Sequence, residues 1–323
     1  MVNPEPINRD EREVNAPGAL NLYSLRELEY RLGFSREFLR TVAANATSYY
    51  QPFDLPKAPR PFARKKQRLK LRHIDRPTGI LKEVQDRIHH RLLRGLPLPT
   101  YLCGAVKGRS VITNVEFHRG APIIVAIDIK SWFPSITPTH VYRAFRKVLN
   151  CSHKVAKLLT ALTTYDGRLP QGASTSSAMA NLVLYSIDKP LRARASSLGV
   201  KYSSFVDDLP FSGKNARQMI PVAISTLRRA GFAISRPKLI VMGAHARKAV
   251  NGVVVSEILS ASREHRMRIR SALHHLRVGD IQEVGREKYV STLRGRIVHL
   301  ASLNPAQAVA FETELSRITG GLG

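Results

Sequence analysis

Residues 122–129 read PIIVAIDI, an almost unbroken β-branched run that closes on Asp128. A strand with one wet face alternates apolar and polar residues, whereas one covered on both faces does not. This segment therefore demands a sheet with material packed on each side. The acid at its end must lie at a surface, face a partner or hold a cation, because an isolated buried carboxylate is costly. A second acidic feature stands in 201–213, KYSSFVDDLPFSG, which reads as two short strands joined by a tight turn at Asp207-Asp208. Aspartate favours turns on its own account, so the pair has a purely structural explanation. It also has a chemical one: adjacent carboxylates repel, and a divalent cation relieves the repulsion. If the hairpin lies beside the strand ending at Asp128, the three groups converge across one sheet. Such a set could bind two Mg2+ roughly 3.5–4 Å apart, able to activate an attacking oxygen and stabilise a departing one.

The surrounding pattern supplies the layers. Residues 1–18 form a polar lead-in with Pro4, Pro6 and Pro17, and Ser24 and Ser35 then each open a short helix. From Lys57 to Arg72 the chain is basic and proline-punctuated, and RLKLRHI at 68–74 alternates as a half-exposed strand does. Apolar spacing predicts helices at Leu81–Leu93, 138–162, 173–198, 217–230, Arg263–Leu276 and Ala306–Ile318, with strands near 238–243 and 250–255. A strand–helix–helix–hairpin–helix–strand series of this kind is an α+β layout.

Charge narrows the partner. The 323 residues carry 51 Lys+Arg against 24 Asp+Glu, a net charge of +27, on a chain that is 43% hydrophobic. That much apolar content belongs to a folded chain, so the excess charge sits on a globular surface and calls for a polyanion such as nucleic acid. No run of 18 apolar residues exists and the N-terminus lacks an apolar leader, so neither a membrane nor a secretory route is expected. Cys103 and Cys151 stand far apart without metal-ligand spacing, as suits a reducing cytoplasm.

Three stretches, DIKSWFPSI at 128–136, LPQGASTSS at 169–177 and FVDD at 205–208, resemble in order and spacing the polymerase core of reverse transcriptases. GFAISRPK at 231–238 is similar to the family's lysine-ending segment, and RHIDRPTGILKEVQDRI at 72–88 to its fingers segment. Within the family, YLCGAVKGRSVITNVEFHRG at 101–120 resembles the retron stretch that ends in N-A-x-x-H, with Val115 in place of the alanine. AVNGVVVS at 249–256 resembles the retron V-T-G element with Asn251 for threonine, and LRGRIVHLASLNP at 293–305 resembles the end of the thumb. The resemblance to bacterial retron-type reverse transcriptases covers about residues 20 to 305.

That resemblance implies a right-hand polymerase, α+β, with an N-terminal helical region at 1–50, fingers and an antiparallel palm at 51–245, and a helical thumb at 246–323. It implies that Asp128, Asp207 and Asp208, with the carbonyl of Ile129, hold two Mg2+, for which Mn2+ can substitute, and that Lys238 protonates the departing pyrophosphate. Arg72 and Lys70 would grip the dNTP triphosphate, with Lys66 competing for the role. Phe133 would exclude a ribose 2′-OH, and Gln171 and Gly172 would pack against the incoming nucleotide. Phe205, where the family has tyrosine, and Val206 fall at the primer end. Asn114, His118 and Arg109 are expected to touch RNA, although Asn114 and His118 suit a local turn-stabilising role nearly as well. The implied partners are dNTPs, a structured non-coding RNA serving as template and primer, its branched msDNA product and a separate effector protein, in cytoplasmic defence against phage. Two other readings remain open at this level: an abortive-infection or diversity-generating reverse transcriptase, and a catalytically silent RNA-binding protein on the same fold.

Overall fold

The computed structural model describes residues 17–56, 71–243 and 245–320. It begins with α1 (Leu25–Leu32) and α2 (Arg36–Ala44), which start where expected: the Ser24 and Ser35 hydroxyls accept from the N–H groups of Glu27 and Phe38 at 3.1 and 3.2 Å. β1 (Tyr50–Pro56) and β2 (Leu71–Pro77) then pair antiparallel along their whole length. The basic stretch between them, with Lys66 and Lys70, lies outside the described residues. α3 (Gly79–Ile88) continues through a wider π turn at His89–Leu93, and α4 (Val111–Glu116) leads to β3 (Ile124–Asp128) and the single turn α5 (Trp132–Ser135).

The helix expected over 138–162 is divided. α6 (Pro138–Arg143) passes into a π turn at Ala144–Val148, Asn150 turns left-handed at φ 54°, and Ser152 caps a new helix, α7 (His153–Thr163). The one expected over 173–198 is likewise two, α8 (Ser176–Ile187) and α9 (Lys189–Ser197), with Pro190 in the first turn of the second, where a missing N–H costs nothing. β4 (Lys201–Tyr202), β5 (Asp208–Ser212), α10 (Met219–Arg229) and β6 (Ile240–Met242) complete the central unit. A small sheet of β7 (Ala249–Val250), β8 (Val253–Val254) and β9 (Ser260–Ala261) precedes α11 (Arg263–Arg277), α12 (Glu283–Leu303) and α13 (Pro305–Gly320). The apolar spacing gave no sign of α12. Val284 and Gly285 are non-helical near its start, and Val298 faces solvent, which blurs its apolar stripe.

The central sheet runs β4-β5-β3-β6 with every pairing antiparallel. β3 explains its own composition. Val125 and Ile127 enter the main core with Leu159, Val183 and Leu227 of the flanking helices, a core that also takes in Leu28 and Leu39 of α1 and α2. Ile124 and the partly buried Ala126 point the other way, into a second core with Met242, Val253, Leu273 and Leu300. The strand is thus covered on both faces, by helices on one side and by the C-terminal elements on the other. Side chains alternate along a strand, so Asp128 falls on the same face as Ile124 and Ala126. Among the described residues no helix is long and apolar enough to cross a membrane, and Cys103 and Cys151 are both buried free thiols.

Candidate active site

Three acids come together through register. β3 pairs with β5 so that Asp128 stands directly opposite Asp208. The hairpin tip lies one residue earlier than its sequence suggested. Phe205 and Asp208 exchange both backbone hydrogen bonds, at 2.9 and 3.2 Å, which leaves Val206 and Asp207 as the two turn residues and makes Asp208 the first residue of β5. The Ile129 N–H donates to the Asp207 carbonyl at 2.9 Å and fastens the tip to the neighbouring strand.

Val206 sits at φ 63°, a left-handed conformation that a β-branched residue adopts at a cost of about 1–3 kcal/mol. The segment around Gly104 holds it there. The Ser204 N–H donates to the Tyr101 carbonyl and the Cys103 N–H to the Ser204 carbonyl, both at 2.8 Å. A Cβ on Gly104 would stand only 2.4 Å from the Val206 nitrogen, so no other residue allows this approach, and the buried Asn181 amide grips the Gly104 carbonyl at 2.8 Å.

These acids border a cavity of about 700 Å³ that also takes in Arg72, Phe133, Gln171, Phe205, Lys238 and Asn251. Asp128 is 4% exposed and its carboxylate is hydrogen-bonded to the Lys238 ammonium. The Ser235 N–H donates to the Asp128 carbonyl at 2.8 Å, which anchors the loop that carries Lys238. Burial, reinforced by the Asp128 charge, raises the Asp207 pKa. Burial and the two neighbouring carboxylates push Asp208 up to about 6, although Lys238 and a 2.8 Å hydrogen bond from the Asn251 amide pull the other way. Burial also works against the Lys238 charge, but the hydrogen bond and attraction to Asp128 prevail and its pKa is raised.

Three carboxylates thus meet one ammonium, and the remaining negative charge is what a hard divalent cation with oxygen ligands would neutralise. Among the described residues no three His, Cys, Asp or Glu side chains form a ready-made cation cluster, and Lys238 stands on Asp128. The donor chemistry and charge of Asp128, Asp207 and Asp208 nonetheless fit such an ion.

The nucleotide-side residues arrive on docked elements. The Asp75 N–H donates to the Gln171 carbonyl at 2.8 Å, and the Asp75 carboxylate holds Arg168 at 3.0 Å, so β2 lies against the loop before α8 and Arg72 is carried to the cavity. Gly172, at φ 130°, makes this docking possible: a Cβ would meet Ile74 at 2.9 Å. Its close approach is therefore to β2, and it lines an adjoining cavity shared with Phe133 and Gln171.

Two of the three expected RNA contacts need correcting. Asn114 and His118 are wholly buried, and no RNA can reach them. Their polar atoms serve the interior, as the turn-stabilising alternative anticipated in kind but not in reach. The Arg109 guanidinium is occupied with the carbonyls of Leu98 and Leu102, at 2.6 and 2.7 Å, tying the 98–109 loop together. Asn251 is the site residue that sequence reasoning missed as a functional group. Its signal was the Asn-Gly pair, the favoured sequence of a two-residue hairpin, which here joins β7 to β8 and turns the Asn251 side chain to Asp208.

Known proteins resemble this chain over most of its length. Residues 63–257 match the family described as reverse transcriptase (RNA-dependent DNA polymerase). The chain is 28% identical over 265 residues to the retron Ec86 reverse transcriptase of Escherichia coli, spanning 81% of this chain and 80% of that protein. It is 30% identical over 325 residues to the retron Mx65 reverse transcriptase of Myxococcus xanthus, spanning 94% and 70%. It is 25% identical over 308 residues to the retron Se72 reverse transcriptase of Salmonella heidelberg, spanning 91% and 79%. Among solved structures, a telomerase from Candida albicans in complex with a fragment of telomeric RNA aligns with a TM-score of 0.46 at 10% identity, covering 88% of this chain and 64% of that one.

Proposed function

Because the chain belongs to the reverse transcriptase family, as an RNA-directed DNA polymerase of retron type, we propose that Asp128, Asp207 and Asp208 form its polymerising centre. The observation that carries this reading is the β3–β5 register, which sets Asp128 against Asp208 on the wall of a cavity that also holds Arg72 and Phe133. Family members use divalent metal ions. Two Mg2+, held by the three carboxylates and the Ile129 carbonyl and replaceable by Mn2+, would lower the pKa of the attacking hydroxyl and neutralise charge on the phosphates.

The chain's own groups do the rest. Arg72 offers a planar fork to the dNTP triphosphate. The Phe133 ring occupies the space a 2′-OH would need, so deoxynucleotides are selected by exclusion. Gln171 packs against the incoming nucleotide, and Phe205 stacks on the primer end. A primer hydroxyl attacks the α-phosphate and passes its proton to solvent water, a phosphodiester bond forms, and the bond between the α- and β-phosphates breaks as pyrophosphate leaves. Lys238, kept cationic by Asp128, supplies the proton to that leaving group.

The template is a structured non-coding RNA that also provides an internal 2′-OH as primer, so the product is branched msDNA, made for anti-phage defence beside a separate effector protein. Charge supports a lasting RNA partner. Arg266, Arg270, His274 and Arg277 recur along one face of α11 and line a groove against α13. Sequencing the nucleic acid that copurifies with the protein from its native host tests this reading. One RNA carrying a branched DNA copy of part of itself is expected, whereas random cellular RNA without such a product would overturn it.

A further inference from the structure

A continuous line of hydrogen bonds crosses the molecule from the back of β5 to the candidate site. The two nitrogens of His118 lie 2.7 Å from the Ser212 hydroxyl and 2.8 Å from the Ser203 hydroxyl. The Ser203 hydroxyl donates to the Asn114 carbonyl oxygen at 2.7 Å, the Asn114 amide to the Asn251 carbonyl oxygen at 2.7 Å, and the Asn251 amide to Asp208 Oδ2 at 2.8 Å. His118, Asn114, Ser203 and Ser212 are all 0–1% exposed, so bulk solvent does not compete along that stretch, while Asn251 and Asp208 at the site end are partly exposed.

We propose that Asn114 and His118 are positioning residues for the Asp208 carboxylate, acting on it through Asn251 by a hydrogen-bond chain that runs in one direction only. The direction follows from counting donors. An ionised carboxylate only accepts, so Asn251 must turn its NH2 to Asp208 and its oxygen to Asn114. Asn114 must then give its NH2 to Asn251 and its oxygen to Ser203. Ser203 has one proton, already spent on Asn114, so it accepts from His118 Nε2. Burial keeps His118 neutral, its pKa pushed down to about 3, so a proton on Nε2 leaves Nδ1 bare to accept from Ser212.

Each link has one permitted orientation, and all are fixed by the charge at the end. The carboxylate is held against rotation by groups from α4, β5 and the β7–β8 hairpin together. Asn251 is suited to its place, because both hairpin residues take positive φ, 48° and 80°, and asparagine tolerates that conformation. The proposal rests on Asp208 belonging to the polymerising centre, but the chain has a signature of its own.

Selectively 15N-histidine-labelled protein reports the tautomer, with His118 assigned by its loss in His118→Gln. In the unaltered chain His118 is expected as the pure Nε2–H form. Asn251→Gly keeps a hairpin-compatible residue while removing the link, and should turn His118 into a mixture of tautomers although the two side chains do not touch. In steady-state assays Asn251→Gly and Asn114→Ala should each lower kcat about tenfold with the KM for dNTP changed less than about twofold, and the double variant should be no worse than the poorer single one. A proton on Nδ1 in the unaltered chain, a tautomer indifferent to Asn251→Gly, or kinetic losses that multiply would overturn the proposal. If instead Asp208→Asn kept full activity, the reading of the centre would fail while the tautomer result still judged the chain. The tautomer of the unaltered protein judges the chain whatever the activity of the variants.

Discussion

His118 shows how little a residue type says without its surroundings. Its spacing from Asn114 suited an RNA contact, yet burial places it among Ser203 and Ser212 and depresses its pKa from 6.5 to about 3. The unfolded chain takes up a proton below 6.5 and the native state does not, so the stability this gives is present above pH 6.5 and is lost as the pH falls towards about 3. Between pH 7 and pH 5 the protein should lose about 2 kcal/mol more unfolding free energy than its His118→Gln variant. Denaturant titrations at the two pH values measure this, and parallel losses would contradict it. Asp128 was readable in the sequence because a charge closing an apolar run has few places to go. Asn251 was readable only as a turn residue: the Asn-Gly pair announces the hairpin, but the partner Asp208 lies 43 residues away.

Elements were readable where their pattern is local. The serine-capped helices and the covered strand appear as expected, and the 68–74 alternation ends in a paired strand. Breaks were missed where one residue's backbone decides, as at Asn150, and α12 was missed because its apolar face is irregular. The hairpin tip moved by one residue because the turn is closed by the Phe205–Asp208 pair and pinned from outside, which no turn propensity encodes. Its geometry therefore depends on an element remote in sequence. Gly104→Ala would drive a Cβ into the Val206 backbone and should cost about 1–3 kcal/mol of stability, with at least a tenfold loss of polymerisation. Unfolding curves and primer extension on the same variant check it, and a fully stable, fully active Gly104→Ala protein would show that the approach is not needed.

At the scale of the whole molecule, a chain with a net charge of +27 brings three carboxylates together on one cavity. The groove between α11 and α13 concentrates part of that charge, with Arg270 also over the Phe311 ring at 5.9 Å. Replacing Arg266, Arg270 and Arg277 by glutamine should weaken RNA binding and reduce the slope of log affinity against log salt by about 0.7 for each phosphate no longer neutralised. Binding isotherms across a salt series give that slope, and an unchanged one would remove the groove from the RNA interface. The second core ties the C-terminal helices to Ile124 and Met242 of the central sheet, so the basic groove and the carboxylates belong to one packed body. Whether those carboxylates carry the chemistry is decided by primer extension on an RNA template with Mg2+, comparing the unaltered protein with Asp207→Asn. The substitution should leave the fold intact and reduce DNA synthesis at least about 1,000-fold; an Asp207→Asn protein that copies RNA at the unaltered rate would contradict the assignment of the centre.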